Sequence, residues 1–364
     1  MIITLSLTVL LIVTVFIYTQ QAKFGKMAQG ERFEKIKKSP HYKNGQFQNQ
    51  NHTPNLTEGV SYYSLLKDFF SNRKRIKPFN RLPSQKTNLY ELNPASNLLV
   101  WFGHSSYFLQ IDGKKILVDP VLSGIASPIA FTVKAFEGTN PYTTDDIPPI
   151  DYLFISHDHW DHLDYETLSK LQSKIKTVIC GLGTGAHLEH WGYLKHNIIE
   201  KDWHEQISLD DGFTVNTVPA RHFSGRGFKR NKSLWCSFVL QTPTMKIFIG
   251  GDSGYDTHFV EIGKTFGEFD LAILENGQYD KSWKYIHMTP EEVLQATKDL
   301  RAKKLLPIHS AKFALANHEW DAPLKSITTL HHHSNITLLT PMIGELVNLN
   351  ENKPSFSKWW EGIQ

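Results

Sequence analysis

The run Ser156-His157-Asp158-His159-Trp160-Asp161-His162 has the residue types and spacing for metal chemistry. It directly follows an apolar, strand-like stretch, Tyr152 to Ile155, and a helical pattern begins just after it. Histidine nitrogens and aspartate oxygens are suitable ligands for zinc-class divalent ions. Spaced as His-x-His-x-Asp-His, these groups converge only where the backbone turns tightly, and a strand-to-helix loop supplies that turn. A His-rich polar surface loop would not require so demanding a spacing. Other candidates obey the same rule of position. His222 follows the run Phe213 to Val218, and His309 follows Lys304 to Ile308. Asp252 follows Lys246 to Ile249, within Gly250-Gly251-Asp252-Ser253-Gly254. Each alone is weak, because a histidine after a strand more often satisfies a local hydrogen bond. Together they set their metal-binding side chains along one edge of a sheet. A pair of cations needs about this many ligands, and a carboxylate suits the place between them.

The elements that must hold these residues begin at about Asn97. From there short β-rich runs (NLLVWFG, SYFLQI, KKILVD, YLFIS, LAILE among them) alternate with turns and with helical stretches at Tyr165 to Gln172 and Pro290 to Leu300. Strands this numerous predict layered sheets with helices outside, an α/β architecture. Residues 97–350 are therefore read as the main folded domain and 351–364 as a tail. Ahead of them, Met1 to Tyr18 carries no charged side chain, close to the lower limit for a membrane span. No Lys or Arg precedes that run and no small-x-small cleavage site follows it, so residues 1–20 are expected to be a retained anchor rather than a cleaved signal. Lys23, Lys26, Arg32, Lys35, Lys37 and Lys38 follow it and favour the cytoplasmic face for the rest of the chain.

Residues 21–96 read as a linker and N-terminal extension. Gly25 to Gly59 is polar and predicts a loosely packed arm. Ser61 to Pro83 mixes aromatics with Arg73, Lys74, Arg75 and Lys77; a short packed helix with a solvated basic end is expected over an amphipathic element on anionic lipid. Trp359-Trp360 suits either a membrane interface or packing on the domain.

Composition narrows the classes. A chain of 364 residues that is 40% hydrophobic and 21% charged is not wholesale disorder. Its net charge of +3, from 39 basic and 36 acidic residues, argues against a nucleic-acid partner. Two cysteines, Cys180 and Cys236, cannot make a disulfide framework or a thiolate zinc site. With 18 histidines, imidazole and carboxylate must do any metal binding. Cys236 lies in a strand-like run and reads as a buried small apolar residue.

At these residues the chain resembles the metallo-β-lactamase superfamily. More narrowly it is similar to the N-acyl-phosphatidylethanolamine-hydrolysing phospholipase D family and its bacterial relatives. The narrower likeness rests on Trp101-Phe102-Gly103-His104, Leu117-Val118-Asp119-Pro120, Pro148-Pro149-Ile150-Asp151, Gly251-Asp252-Ser253-Gly254-Tyr255 and Phe266-Gly267-Glu268-Phe269-Asp270-Leu271-Ala272. It continues through Pro290-Glu291-Glu292, Ile308-His309-Ser310 and Phe313-Ala314-Leu315-Ala316-Asn317. The resemblance implies a four-layer αββα sandwich with an edge site for two zinc ions. His157, His159 and His222 would hold the first ion, Asp161, His162 and His309 the second, and Asp252 would bridge them. Two cations would lower the pKa of a shared water, so that hydroxide is available near neutral pH without a protein nucleophile.

The resemblance further implies catalytic roles for Asp161 and for His287, the latter in phosphate contact or proton transfer. Asp119 would orient a ligand histidine. The substrate implied is a phospholipid or other phosphodiester met at a membrane, and the lipid enzymes of the family imply a homodimer. Two features depart from the family: Glu275 near the cleft, and Phe223-Ser224-Gly225-Arg226 after His222. The rival readings are a soluble-substrate metallohydrolase, such as a lactonase or nuclease, and a non-catalytic membrane-tethered metal or lipid binder. No long basic insertion of the kind a nuclease uses is present, and a complete ligand set argues against the binder.

Overall fold

The computed structural model describes residues 2–61, 63–65, 67, 75–332 and 334–363. The N-terminal region supplies α1 (Ile2–Thr19), α2 (Gly30–Lys37) and a hairpin of β1 (Tyr42–Lys43) and β2 (Gln46–Phe47). A seven-stranded sheet follows, built from β3 (Leu98–Trp101), β4 (Tyr107–Ile111), β5 (Lys114–Val118), β6 (Ile150–Ile155), β7 (Ile175–Gly181) and β8 (Ile198–Lys201), with β16 (Leu346–Asn348) returning beside β3. The second seven-stranded sheet runs in order from β9 (Gln206–Ser208) through β10 (Thr214–Val218), β11 (Ser237–Gln241), β12 (Lys246–Ile249), β13 (Leu271–Glu275) and β14 (Lys304–Ile308) to β15 (Thr337–Leu338). Both sheets are mixed: β5 to β8 and β12 to β15 pair in parallel, the other neighbours antiparallel.

The central strand runs such as β3, β12 and β13 are largely apolar because both faces of each sheet are covered. Side chains alternate between layers with the period of two that a strand imposes. Leu99 and Trp101 of β3, Tyr107 and Leu109 of β4, and Tyr152 and Phe154 of β6 enter the layer between the sheets. There they meet Ile247 and Ile249 of β12 and Leu271 and Ile273 of β13. The alternate residues Val100, Phe108, Leu153 and Ile155 face outward, onto Leu168 and Leu171 of α3 (Tyr165–Leu171) and Leu188 of α4 (Gly185–His190). On the far side Phe248, Ala272 and Leu274 pack under α5 (His258–Phe266), α6 (Pro290–Asp299) and α7 (Ala322–His331). Helices lie on the outer faces of two facing sheets, as expected.

The N-terminal anchor is not supported. Among the described residues no helix is long and apolar enough to cross a membrane. Its 18 residues rise about 27 Å, short of a hydrocarbon core about 30 Å thick. Thr8 and Thr14 within it donate hydroxyl bonds to the carbonyls of Thr4 and Leu10. The expected single anchor falls, and with it the orientation drawn from Lys23 to Lys38. The C-terminal end of α1 rests on the domain instead, where Tyr18 Oη and Lys23 Nζ both donate to Pro128 O at 2.8 Å.

The stretch expected to be loosely packed contributes Ile36 and Phe47 to the main core. Trp359 and Trp360 are buried there too, Trp359 against Trp101. Of the expected basic cluster, Arg73 and Lys74 lie outside the described residues. Arg75 pairs with Asp321 at 2.7 Å and lies over Trp320.

Candidate metal centre

Strand direction brings the chemistry together. β5 and β6 are parallel, and β3 runs the same way because β4 is antiparallel to both β3 and β5. In the other sheet β12, β13 and β14 are parallel, and β10 shares their direction through two antiparallel pairings with β11. All seven therefore end at one edge. His104 follows β3, Asp119 follows β5, Ser156 to His162 follow β6, His222 follows β10, Asp252 follows β12, Glu275 closes β13 and His309 follows β14. Backbone bonds stitch the sheets there: Cys236 N–H donates to Ser156 O at 3.0 Å, and His309 N–H to His104 O at 2.9 Å. His104, Asp119 and His309 hold φ of +53°, +40° and +66°. Each costs an L-residue about 1 kcal/mol, and such strain gathers at functional sites.

Two groups of donors form. In one, His157, His159 and His222 offer nitrogens within 4.8 Å of one another; in the other, Asp161, His162, His309 and His104 do the same with nitrogens and a carboxylate oxygen. Asp252 lies between them. Its Oδ2 is 3.8 Å from His157, 3.7 Å from His222 and 3.2 Å from His162, while Oδ1 is 3.2 Å from His309. Every metal-ligand candidate from the sequence reaches this one place.

The donor set fits a cation. His157 Nε2 and His222 Nε2 approach His159 Nδ1 to 2.9 and 3.3 Å. Burial holds His157 and His222 well below the usual imidazole range and takes His159 down to about 4. In the neutral form the three rings converge nitrogens that could hold a metal ion. In the other group burial, and then His104, keep His309 well below its ordinary value. Burial would raise Asp161, but His162 and His104 outweigh it and hold the carboxyl well below the carboxylate range. Burial lifts Asp252 to about 6, with His162 pulling the other way. His162 Nε2 and Asp252 Oδ1 are buried without a hydrogen-bond partner among the described residues.

Outer contacts orient these candidate ligands. Asp119 Oδ2 lies 2.8 Å from His162 Nδ1 and accepts from Ser156 Oγ, while Oδ1 accepts from Ser156 N–H at 2.8 Å. His222 Nδ1 lies 3.0 Å from Ile286 O, and His309 Nδ1 lies 2.8 Å from Ser105 Oγ. Asp161 Oδ2 is 2.8 Å from His104 Nε2. The donors open onto a cavity of about 300 Å³ lined by His159, Asp161, His222, Asp252, His287 and His309. Its remaining wall is Asn55, Leu56, Phe223, Arg230, Gln278, Trp283, Ile286 and Leu315. Both residues expected in catalysis, Asp161 and His287, thus face it. Behind His287, Glu275 places Oε2 2.9 Å from Nδ1 and accepts Met288 N–H on Oε1.

A family model for the beta-lactamase superfamily domain matches residues 114–310. The chain belongs to the metallo-β-lactamase superfamily. An uncharacterized protein of Mycobacterium tuberculosis is 34% identical over 327 residues, covering 88% of this chain and 87% of the relative. N-acyl-phosphatidylethanolamine-hydrolyzing phospholipase D 1 of Caenorhabditis elegans is 27% identical over 280 residues, covering 70% of this chain and 78% of its own. The superfamily fold recurs in the solved structure of Igni18, a metallo hydrolase of Ignicoccus hospitalis, with a TM-score of 0.52, 19% identity, and coverage of 69% of this chain and 97% of that one.

Two contributors escaped sequence reasoning. In sequence His104 is only the last residue of Trp101-Phe102-Gly103-His104, yet it obeys the same strand-end rule as His222 and His309. Glu275 stood out as a departure without a role; its place as the last residue of β13 was the available signal.

Proposed function

We propose that this metallo-β-lactamase superfamily chain is a zinc-dependent phosphodiesterase of the phospholipase D type, acting on N-acyl-phosphatidylethanolamine-like phospholipids. The observation that carries the reading is Asp252, set between two groups of donors and lining a cavity whose wall is partly apolar. The likeness to the Caenorhabditis elegans phospholipase D supports the substrate class.

His157, His159 and His222 would hold one zinc ion, Asp161, His162 and His309 the other, with Asp252 shared. Two such ions would supply a water acidic enough to ionise near neutral pH and positive charge beside a phosphoryl oxygen. The chain's own residues do the rest. Burial raises the Glu275 carboxyl well above its ordinary range, which favours the protonated acid beside His287. The protonated acid would donate to His287 Nδ1, 2.9 Å away, and so leave the His287 Nε2–H as a donor for a phosphoryl oxygen in the cavity. Leu56, Phe223, Trp283, Ile286 and Leu315 exclude water around the apolar part of the substrate. Water adds across the phosphorus–oxygen bond, giving a phosphomonoester and an alcohol.

Incubating the zinc-loaded protein with a panel of phospholipids, and reading products by mass spectrometry, tests this. N-acyl-phosphatidylethanolamine should give phosphatidic acid and an N-acylethanolamine. Turnover of a phosphorylated sugar lactone with no phospholipid cleaved would favour a soluble substrate instead.

A further inference from the structure

The segment after β2 lies outside the 114–310 match, yet it grips the metal centre. Asn49 Nδ2 donates to His222 O at 2.7 Å, and Asn49 Oδ1 accepts His222 N–H at 3.1 Å. The same Oδ1 accepts Trp235 Nε1–H at 3.0 Å. One side-chain amide therefore satisfies both backbone polar groups of a candidate ligand that sits in a loop, where no strand ladder would hold it. The His222 ring is fixed separately, through Nδ1 and the Ile286 carbonyl. Phe47, fully buried in the core, and the Phe47 N–H to Asn231 O bond at 2.8 Å anchor the segment just before Asn49. Beyond it, Asn51 Nδ2 donates to Asp256, and Arg221 donates to Thr53 Oγ1 and His52 O.

We infer that Asn49 is a positioning residue of the metal centre, setting the backbone of His222 so that its ring meets the cation held with His157 and His159. The inference rests on the reading of His222 as a ligand. An amide is required because it donates and accepts at once; a carboxylate would turn a lone pair toward the His222 carbonyl. Groups that orient ligands change metal affinity about 10–100-fold when lost.

The test is Co²⁺ binding by the full chain, followed by visible absorption and competition with a chelator. Asn49→Ala should weaken the affinity about tenfold or more and alter the absorption bands. Asn51→Ala, which cuts a bond of the same segment to Asp256, should leave both unchanged within about twofold. Asn49→Asp keeps the two accepted bonds, so it serves if Asn49→Ala does not fold, and it too should alter the bands. Wild-type affinity and bands in the folded Asn49 variants, or an equal loss in Asn51→Ala, would overturn the inference. A wild-type chain that binds no metal would overturn the hydrolase reading along with it.

Discussion

Asp119 makes a prediction that is independent of substrate. By accepting His162 Nδ1–H it leaves Nε2, the unpartnered atom, for a cation. Asp119→Asn should lower zinc affinity about 10–100-fold, measured against a competing chelator; an unchanged affinity would contradict that role. Glu275 can be tested by shape. Glutamine can donate to His287 Nδ1 and accept Met288 N–H as the protonated acid does, whereas alanine can do neither. Glu275→Gln should keep kcat within about threefold, and Glu275→Ala should lower it about 100-fold with metal retained. Equal losses in the two variants would show that the hydrogen bond to Nδ1 is not what matters. The candidate ligands were legible because their chemistry is concentrated and each follows an apolar run. Asn49 was not, because an asparagine bound to a ligand's backbone looks the same in sequence as one bound to water.

At the scale of elements, close approach between loops sets the shape of the site. A Cβ on Gly254 would lie 1.9 Å from Tyr285 O, so the Asp252 loop can press against the wall carrying Ile286 and His287 only as glycine. Gly254→Ala should cost about 3 kcal/mol in denaturant unfolding and loosen metal binding; a stability equal to wild type would refute that packing. The expected helix at Tyr165 to Gln172 forms as Tyr165–Leu171, started by Asp164 accepting Glu166 N–H. The one expected at Pro290 to Leu300 forms as Pro290–Asp299, behind a Thr289–Glu292 capping box. Such caps are local and therefore readable. The hairpin Tyr42–Phe47 and the helix Gly30–Lys37 are short and polar, held by Phe47 and Ile36 inserting into a core made by distant strands, a contact no local pattern reveals.

For the molecule as a whole, buried histidines tie stability to pH. Burial takes His258 from 6.5 to about 4. Between those values the unfolded chain binds a proton that the folded one refuses, so stability is full above about pH 6.5 and falls as pH drops toward 4. The loss from this residue approaches about 3 kcal/mol. Comparing unfolding of metal-free wild type and His258→Gln at about pH 7 and pH 4.5 should show a shallower fall in the variant, and parallel falls would contradict the assignment. The apolar N-terminal run was legible as a helix, Ile2–Thr19, but its membrane role depended on a length that its described residues do not reach. A two-cation centre that shares Asp252 is tested most directly by elemental analysis of reconstituted wild-type and Asp252→Asn protein. Two zinc ions per wild-type chain, with occupancy of both sites reduced in the variant, is the predicted result. No metal in the wild type, or full occupancy in Asp252→Asn, would contradict it.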